Sequence, residues 1–252
     1  MQNTYPDEMT VDVSDMGPLH QYTSSNNLDK NVSYVDISRF KNGEKKTDSL
    51  TGSWVSYQSK WKFVKPNARF CKNEWRIIKG KKYYFGNDEF MVTGWKKISS
   101  KWYYFDKNGA MQTGWVESNN AKYFLDANGV MVTGWKRISN KYYYFATTGE
   151  MKTGWLKDAD KWYYLDADGV RTSGWAKVSK KWYYMDENGV MLTGWKKVSG
   201  KWYYMNGSGA MVTGWRKVGK YWYYMEKSGA MAANTWIGNY HVDASGKWDQ
   251  TK

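Results

Sequence analysis

The 252 residues carry 38 Lys+Arg against 24 Asp+Glu, a formal charge of +14, with 17 Trp and 22 Tyr against only 8 Phe. Ile, Leu, Val and Phe together make 38 of the 252 residues, a composition that with such a charge describes a disordered chain unless the Trp and Tyr rings build a core in register. No apolar run approaches the roughly 18 residues of a membrane-spanning helix, and Cys71, the single cysteine, excludes an intrachain disulfide and a thiolate metal site.

The chain opens on a segment unlike the rest. Residues 1–50 hold 5 Lys+Arg and 8 Asp+Glu, which leaves 33 against 16 in residues 51–252. The first segment contains Pro6 and Pro18, is rich in Ser, Asn and Asp, and has one strand-like stretch from Val32 to Phe40. It reads as a linker or the remnant of a neighbouring domain, because about 50 residues are marginal for an independent core. The first thirty residues show no basic stretch followed by an apolar one, so no export signal is visible.

From residue 51 onward the chain is a repeat. Gly-Trp recurs at Gly94-Trp95, Gly114-Trp115, Gly134-Trp135, Gly154-Trp155, Gly174-Trp175, Gly194-Trp195 and Gly214-Trp215, always 20 residues apart. A second glycine series, from Gly109 to Gly229, keeps the same period, as do paired aromatics such as Tyr103-Tyr104 and Tyr203-Tyr204. Degenerate units flank the series: Trp75 follows Glu74 where Gly is expected, Trp54 and Trp61 keep the seven-residue spacing of Trp95 and Trp102, and Trp236 opens a truncated last unit. About ten units result, the outer ones suited to cap the stack.

Within one unit, Trp195 to Val198, the pair Ser199-Gly200 and Lys201 to Met205 read as a hairpin with a two-residue turn. Pairing Val198 with Lys201 sets Lys197 opposite Trp202 and Trp195 opposite Tyr204. Alternation along the strands then places Trp195, Trp202 and Tyr204 on one face and Lys196, Val198, Tyr203 and Met205 on the other. Segments such as Asn206 to Gly209 supply the next turn. A lone hairpin is not stable, so the predicted fold is all-β: an elongated β-solenoid of stacked β-hairpins, about 20 residues per repeat, over residues 51–252.

Several chemistries find no support in the residues. His20 and His241 are the only histidines, and neither a hydrolase elbow, a zinc-protease motif nor a phosphate loop is present. The carboxylates Asp106, Asp126, Asp166 and Asp186 recur at turns, whereas an acid/base pair needs two differently tuned environments at one site. Asp166-Ala-Asp168-Gly169 resembles the start of a calcium loop but lacks the bidentate Glu, and turn chemistry explains it better. The basic repeats could bind a polyanion by phosphate neutralisation and stacking, but no nucleic-acid motif accompanies the charge. The expectation is a non-catalytic binding module without cofactor or metal. Periodic rings are also what a purely structural core would show. Tyr183 and Tyr203 are read as packing residues, and Met111, Met131, Met151, Met191, Met211 and Met231 as gap fillers between rings.

The order Gly-Trp, seven residues to the next Trp-Tyr-Tyr, then Gly-x-Met-x-Thr-Gly-Trp, clearest from Gly194-Trp195 to Gly214-Trp215, resembles the choline-binding repeats of bacterial cell-wall-binding proteins. The resemblance covers residues 54–248 approximately. It implies a left-handed solenoid and a choline or phosphocholine ligand held between consecutive hairpins by two tryptophans of one and a ring of the next. A quaternary ammonium has no hydrogen-bond donor and is recognised by aromatic faces, Trp being the best. Carried over by position, the cages are Trp155, Trp162 and Tyr184; Trp175, Trp182 and Tyr204; Trp195, Trp202 and Tyr224. Trp215 and Trp222 would be closed by Tyr240. Trp135 with Tyr142 and Tyr164, and Trp95 with Trp102, form weaker versions, Tyr142 replacing a Trp and Phe124 a Tyr. Lys82 and Lys122 stand where the second Trp belongs, and a cation there repels a cation. The resemblance further implies choline-decorated teichoic acid as partner and an extracellular, cell-wall location, with a second copy of the chain carried as a candidate partner and no membrane insertion. Oligosaccharide binding, to glucan or host glycan, is the rival on the same fold, because Lys81 to Phe85 and Lys141 to Phe145 look closer to sugar-binding repeats.

Overall fold

The computed structural model describes residues 52–57, 59–67 and 69–252; segment 1–50, with its strand-like stretch, lies outside them. Every regular element described is a β-strand, and the chain divides in sequence into two compact units, the first ending at Val132 and the second starting at Thr133. The first unit has β1 Ser53–Tyr57 paired with β2 Lys60–Val64, β3 Glu74–Ile78 with β4 Lys81–Phe85, β5 Gly94–Ile98 with β6 Lys101–Phe105, and β7 Gly114–Ser118 with β8 Ala121–Leu125. The second continues with β9 Gly134–Ile138 and β10 Lys141–Phe145, β11 Gly154–Asp158 and β12 Lys161–Leu165, and β13 Gly174–Val178 and β14 Lys181–Met185. Then come β15 Gly194–Val198 with β16 Lys201–Met205, and β17 Gly214–Val218 with β18 Tyr221–Met225. A three-stranded sheet of β19 Thr235–Ile237, β20 Tyr240–Val242 and β21 Trp248–Thr251 closes it. The architecture is the expected one, a β-solenoid of stacked 20-residue hairpins, and none of the sheets closes into a barrel.

The register follows the sequence pattern. Val198 pairs with Lys201, Lys197 with Trp202 and Trp195 with Tyr204. Two-residue turns such as Ser199 at 48° and Gly200 at 82°, and Ala159 at 45° and Asp160 at 62°, hold both central residues at positive φ. Such turns match the right-handed twist of the strands they join, strongly enough to impose the left-handed region on residues with a Cβ.

One side chain per hairpin is fully buried. Phe85, Phe105 and Leu125 in the first unit, and Phe145, Leu165, Met185, Met205 and Met225 in the second, each end a second strand and are at most 1% exposed. Met205 lies across from Gly194, Met185 across from Gly174, so in the Gly-Trp hairpins a residue without Cβ faces the core side chain, whereas Phe85 faces Glu74. Gly194 sits at φ +77° with open space where a Cβ would point; conformation, not packing, requires it. In the degenerate hairpins the left-handed residue moves one place back, to Asn73 before Glu74 and Asn234 before Thr235, asparagine being the side chain that tolerates this region best.

Layers are joined through the loops. The Met211 N–H donates to the Trp182 carbonyl at 2.7 Å, Met191 to Trp162 at 2.7 Å, Met231 to Trp202 at 2.7 Å and, in the first unit, Met131 to Trp102 at 2.9 Å. Each methionine thus ties the hairpin it follows to the one before. Its thioether lies beneath the glycine of the next turn: a Cβ on Gly209 would overlap the Met191 side chain, and one on Gly229 that of Met211. The methionines are more than gap fillers. They explain the second glycine series, which leaves room for them.

The first unit has a further cluster at its start, where Phe63, Cys71, Ile78 and Phe85 are buried together against Trp54 and Tyr83. Burial first, and the nearby Glu74 carboxylate second, push the Cys71 thiol up to about 11, so it is a core residue rather than a nucleophile. Glu74 itself is desolvated, yet hydrogen bonding from Lys65 at 2.8 Å and the charge of Arg76 at 3.3 Å hold its carboxyl below the usual range.

The two glycine environments separate in mutagenesis. Gly209→Ala meets both φ +80° and the Met191 side chain and should cost roughly 1–3 kcal/mol or more. Gly207→Ala, with nothing near the added Cβ and no positive φ, should stay within about 0.5 kcal/mol. Urea unfolding followed by circular dichroism measures both.

Candidate functional site

The tryptophan pairs are not the core. In the second unit Trp155 and Trp162 stand 6.3 Å apart at 86°, Trp175 and Trp182 6.3 Å at 88°, and Trp195 and Trp202 6.3 Å at 88°. Each pair forms an open right-angled corner. The two walls differ in burial. Trp155, Trp175 and Trp195 are half-buried, whereas Trp162, Trp182 and Trp202 are exposed, 42% for Trp202 against 0% for Met205 three residues on.

The first tryptophan is held from both sides. Trp155 meets Tyr164 of its own hairpin at 5.2 Å and Tyr183 of the next at 4.7 Å; Trp175 meets Tyr184 at 5.0 Å and Tyr203 at 4.8 Å; Trp195 meets Tyr204 at 5.1 Å and Tyr223 at 4.8 Å. All are edge contacts, the favourable arrangement of ring quadrupoles. The ring of the next hairpin that touches Trp155 is therefore Tyr183, in the packing role expected of it. Tyr184, Tyr204 and Tyr224, named as third cage rings, each pack on the first tryptophan of their own hairpin, Tyr224 on Trp215 at 5.3 Å.

The last hairpin of the second unit opens a cavity of about 350 Å³ lined by Trp215, Trp222, Tyr240 and Trp248. Tyr240 contacts Trp215 at 5.6 Å and Trp248 at 6.4 Å. The first three rings were expected together; Trp248 was not. It arrives on β21, the strand that turns the truncated unit into a three-stranded sheet. The turn before it repeats the pattern of the full units: Asp243 Oδ1 accepts from the Ser245 and Lys247 N–H groups at 2.8 and 2.9 Å, as Asn206 Oδ1 does from Ser208 and Ala210. The spacing from Asp243 to Gly246 is the sequence signal that could have found it.

Two of the departing units, those of Tyr142 and of Lys82, place a cation over a ring. Trp95 packs on Tyr104 and Tyr123, with Trp102 exposed beyond it. Trp135 packs on Tyr144 at 5.2 Å and Tyr163 at 4.9 Å and donates its indole N–H to Asp158 at 2.9 Å, while Tyr164 lies on Trp155. The Arg171 guanidinium lies 4.4 Å from the centre of the Tyr142 ring. In the first unit the Lys82 ammonium lies 4.5 Å from the centre of the Trp75 ring.

In six of the Gly-Trp hairpins a basic side chain stands directly across from the exposed ring of the second strand: Lys97 from Trp102, Arg137 from Tyr142, Lys157 from Trp162, Lys177 from Trp182, Lys197 from Trp202 and Lys217 from Trp222. Where lysine replaces the ring, the opposite residue is Ile77 or Glu117. The carboxylates at the turns are engaged there. Asp166 Oδ1 accepts from the Asp168 and Val170 N–H groups at 3.0 and 2.8 Å, the turn chemistry expected in place of a calcium loop. No group of His, Cys, Asp or Glu that could hold a metal exists among the described residues, and among them no helix is long and apolar enough to cross a membrane.

Comparison with known proteins agrees with this geometry. The choline-binding repeat matches residues 92–133, 132–171 and 192–236, and the putative cell wall binding repeat matches residues 73–89 and 173–191. Choline binding protein F of Streptococcus pneumoniae, solved in the presence of a peptidoglycan analogue, is 34% identical with a TM-score of 0.68, over 77% of this chain and 77% of that one. CbpJ of the same organism is 27% identical with a TM-score of 0.64, over 79% of this chain and 100% of its own. The modular autolysin LytC, also from S. pneumoniae, is 25% identical with a TM-score of 0.59, over 76% of this chain but 45% of its own. No curated protein matches the chain.

Stability should separate core from corner. Met205→Ala is expected to cost about 2–5 kcal/mol, and Trp202→Ala about 1 kcal/mol, in urea denaturation. Equal losses would make the tryptophans core residues.

Proposed function

Because the chain belongs to the choline-binding repeat family, we propose that its aromatic corners hold the quaternary ammonium of choline displayed on bacterial teichoic or lipoteichoic acid and so attach the protein to the outer cell surface. The observation that carries this reading is the half-exposed tryptophan pair set at a right angle and repeated from hairpin to hairpin. Two ring faces meeting in a corner present negative quadrupole on two sides of one position, which suits a methylated ammonium and leaves it no hydrogen bond to miss. The corners at Trp155, Trp175, Trp195 and Trp215 are the principal sites, the last enlarged by Trp248. The cations opposite the exposed rings suit the phosphates of the same polymer. The described residues form a binding module without catalytic machinery.

Two rings, with a third where one closes the corner, at about 0.5–2 kcal/mol each set the strength of one site, and a dissociation constant of 1 mM corresponds to about 4.1 kcal/mol. Free choline should therefore bind near the millimolar range, with Trp emission changing in step, while several corners on one polymer raise the apparent affinity. Trp182→Ala should remove one site and keep the circular dichroism of the fold. A single tight site, or no response at tens of millimolar choline, would overturn the reading.

Bulk charge makes the opposite prediction on a quaternary-amine resin, which repels a +14 chain. The protein should nonetheless be retained, at low salt and at high salt alike, because salt screens charge over about 10 Å at 0.1 M without removing ring contacts. Free choline should release it; glucan oligosaccharides should not. Release by sugar alone would favour the glycan reading.

A further inference from the structure

We infer that Arg171 is the resident cation of the Trp135 hairpin and closes that ring site to an external quaternary ammonium. The inference rests on the choline reading and divides the repeats into open and self-occupied sites.

Position 171 belongs to a series that is methionine at 91, 111, 131, 151, 191, 211 and 231. Arginine keeps the series' backbone role, its N–H donating to the Tyr142 carbonyl at 2.8 Å as Met191, Met211 and Met231 do to Trp162, Trp182 and Trp202. It also keeps the path of the side chain beneath the next turn: a Cβ on Gly189 would overlap the Arg171 stem where one on Gly209 would overlap Met191. What changes is the end of the chain. The guanidinium comes to rest 4.4 Å from the centre of the Tyr142 ring and donates to the Glu187 carbonyl at 3.3 Å, so it is fixed at both ends. Arg137, across the hairpin, lies 6.0 Å from the same ring and is tied to Asn140 at 2.9 Å.

The Arg171 guanidinium thus covers the Tyr142 ring from 4.4 Å, closer than Lys177 and Lys197 come to Trp182 and Trp202, at 5.6 and 5.9 Å, and a second cation brought to that ring meets its charge at short range. Asp158 accepts from the Trp135 indole at 2.9 Å and holds that ring in place. Lys82 over Trp75 at 4.5 Å shows the same chemistry in the first unit, reached from a different position of the repeat.

Replacing Arg171 by the residue its own series uses tests this without disturbing the layer. Arg171→Met should raise the number of choline equivalents bound at saturation by one, read by titration calorimetry, while Arg171→Lys, which keeps the charge, should leave the wild-type number. A wild-type number in Arg171→Met, or a gain in Arg171→Lys, overturns the inference and leaves the choline reading intact. Absence of choline binding in wild type and variant alike overturns both.

Discussion

In hairpin after hairpin the carbonyl of the exposed ring residue accepts an N–H from the loop that follows the next hairpin, as Trp182 does from Met211, Trp162 from Met191 and Trp202 from Met231. A two-stranded hairpin has no stability of its own, and this bond, with the ring contacts beside it, is where one layer meets the next. It also fixes the backbone of the residue that forms the outer wall of each corner. Assembly of the solenoid and placement of the binding rings are therefore one event: a tryptophan reaches its position only when the following hairpin and its loop are in place.

The division between what supports and what binds follows from strand alternation. Met205, Met185 and Leu165 face the side that the stack covers, while Trp202, Trp182 and Trp162, three residues earlier in each strand, face the side that it leaves open. One small apolar column then suffices as core, since the half-buried tryptophans and the tyrosines of the next hairpin add large ring areas around it. This is how a chain with so few aliphatic residues folds, and why its aromatic content is high: the same ring type serves packing on one wall and ligand contact on the other.

Much of this was legible. The seven-residue interval between Trp195 and Trp202 and the pair Ser199-Gly200 suffice to place every cross-strand partner of β15 and β16, because a two-residue turn leaves one register. Other features were hidden for identifiable reasons. Ala159 and Asp160 at positive φ carry no glycine signal; strand twist, a property of the pair of strands, imposes their conformation. Trp248 escaped because the 20-residue period stops before it, and only the turn at Asp243 to Gly246 continues the older rhythm. Arg171 stands in a methionine series whose meaning depends on the next hairpin's glycine, a contact no single repeat contains. The contact of Trp155 with Tyr183 follows from which face of the next hairpin is laid down, which alternation alone leaves open.

Because layer contacts use backbone groups, glycines and the buried column, the ring positions are free to change without loss of the stack. Lys82 and Tyr142 both occupy the exposed wall, yet their backbone carbonyls accept the same interlayer bond from Met111 and Arg171 at 2.7 and 2.8 Å. Their hairpins keep the register of Trp195 and Trp202. A repeat can accordingly lose or fill its ring site and remain a sound spacer. The basic residue across the hairpin changes with it, Ile77 facing Lys82 and Glu117 facing Lys122, since like charges set directly opposite are destabilising. The two substitutions belong together: removing the ring adds a cation, and the cation excludes the lysine that stood opposite the ring. The number of open corners is thus a property that sequence change can adjust one hairpin at a time, while the spacing between corners stays fixed by the stack.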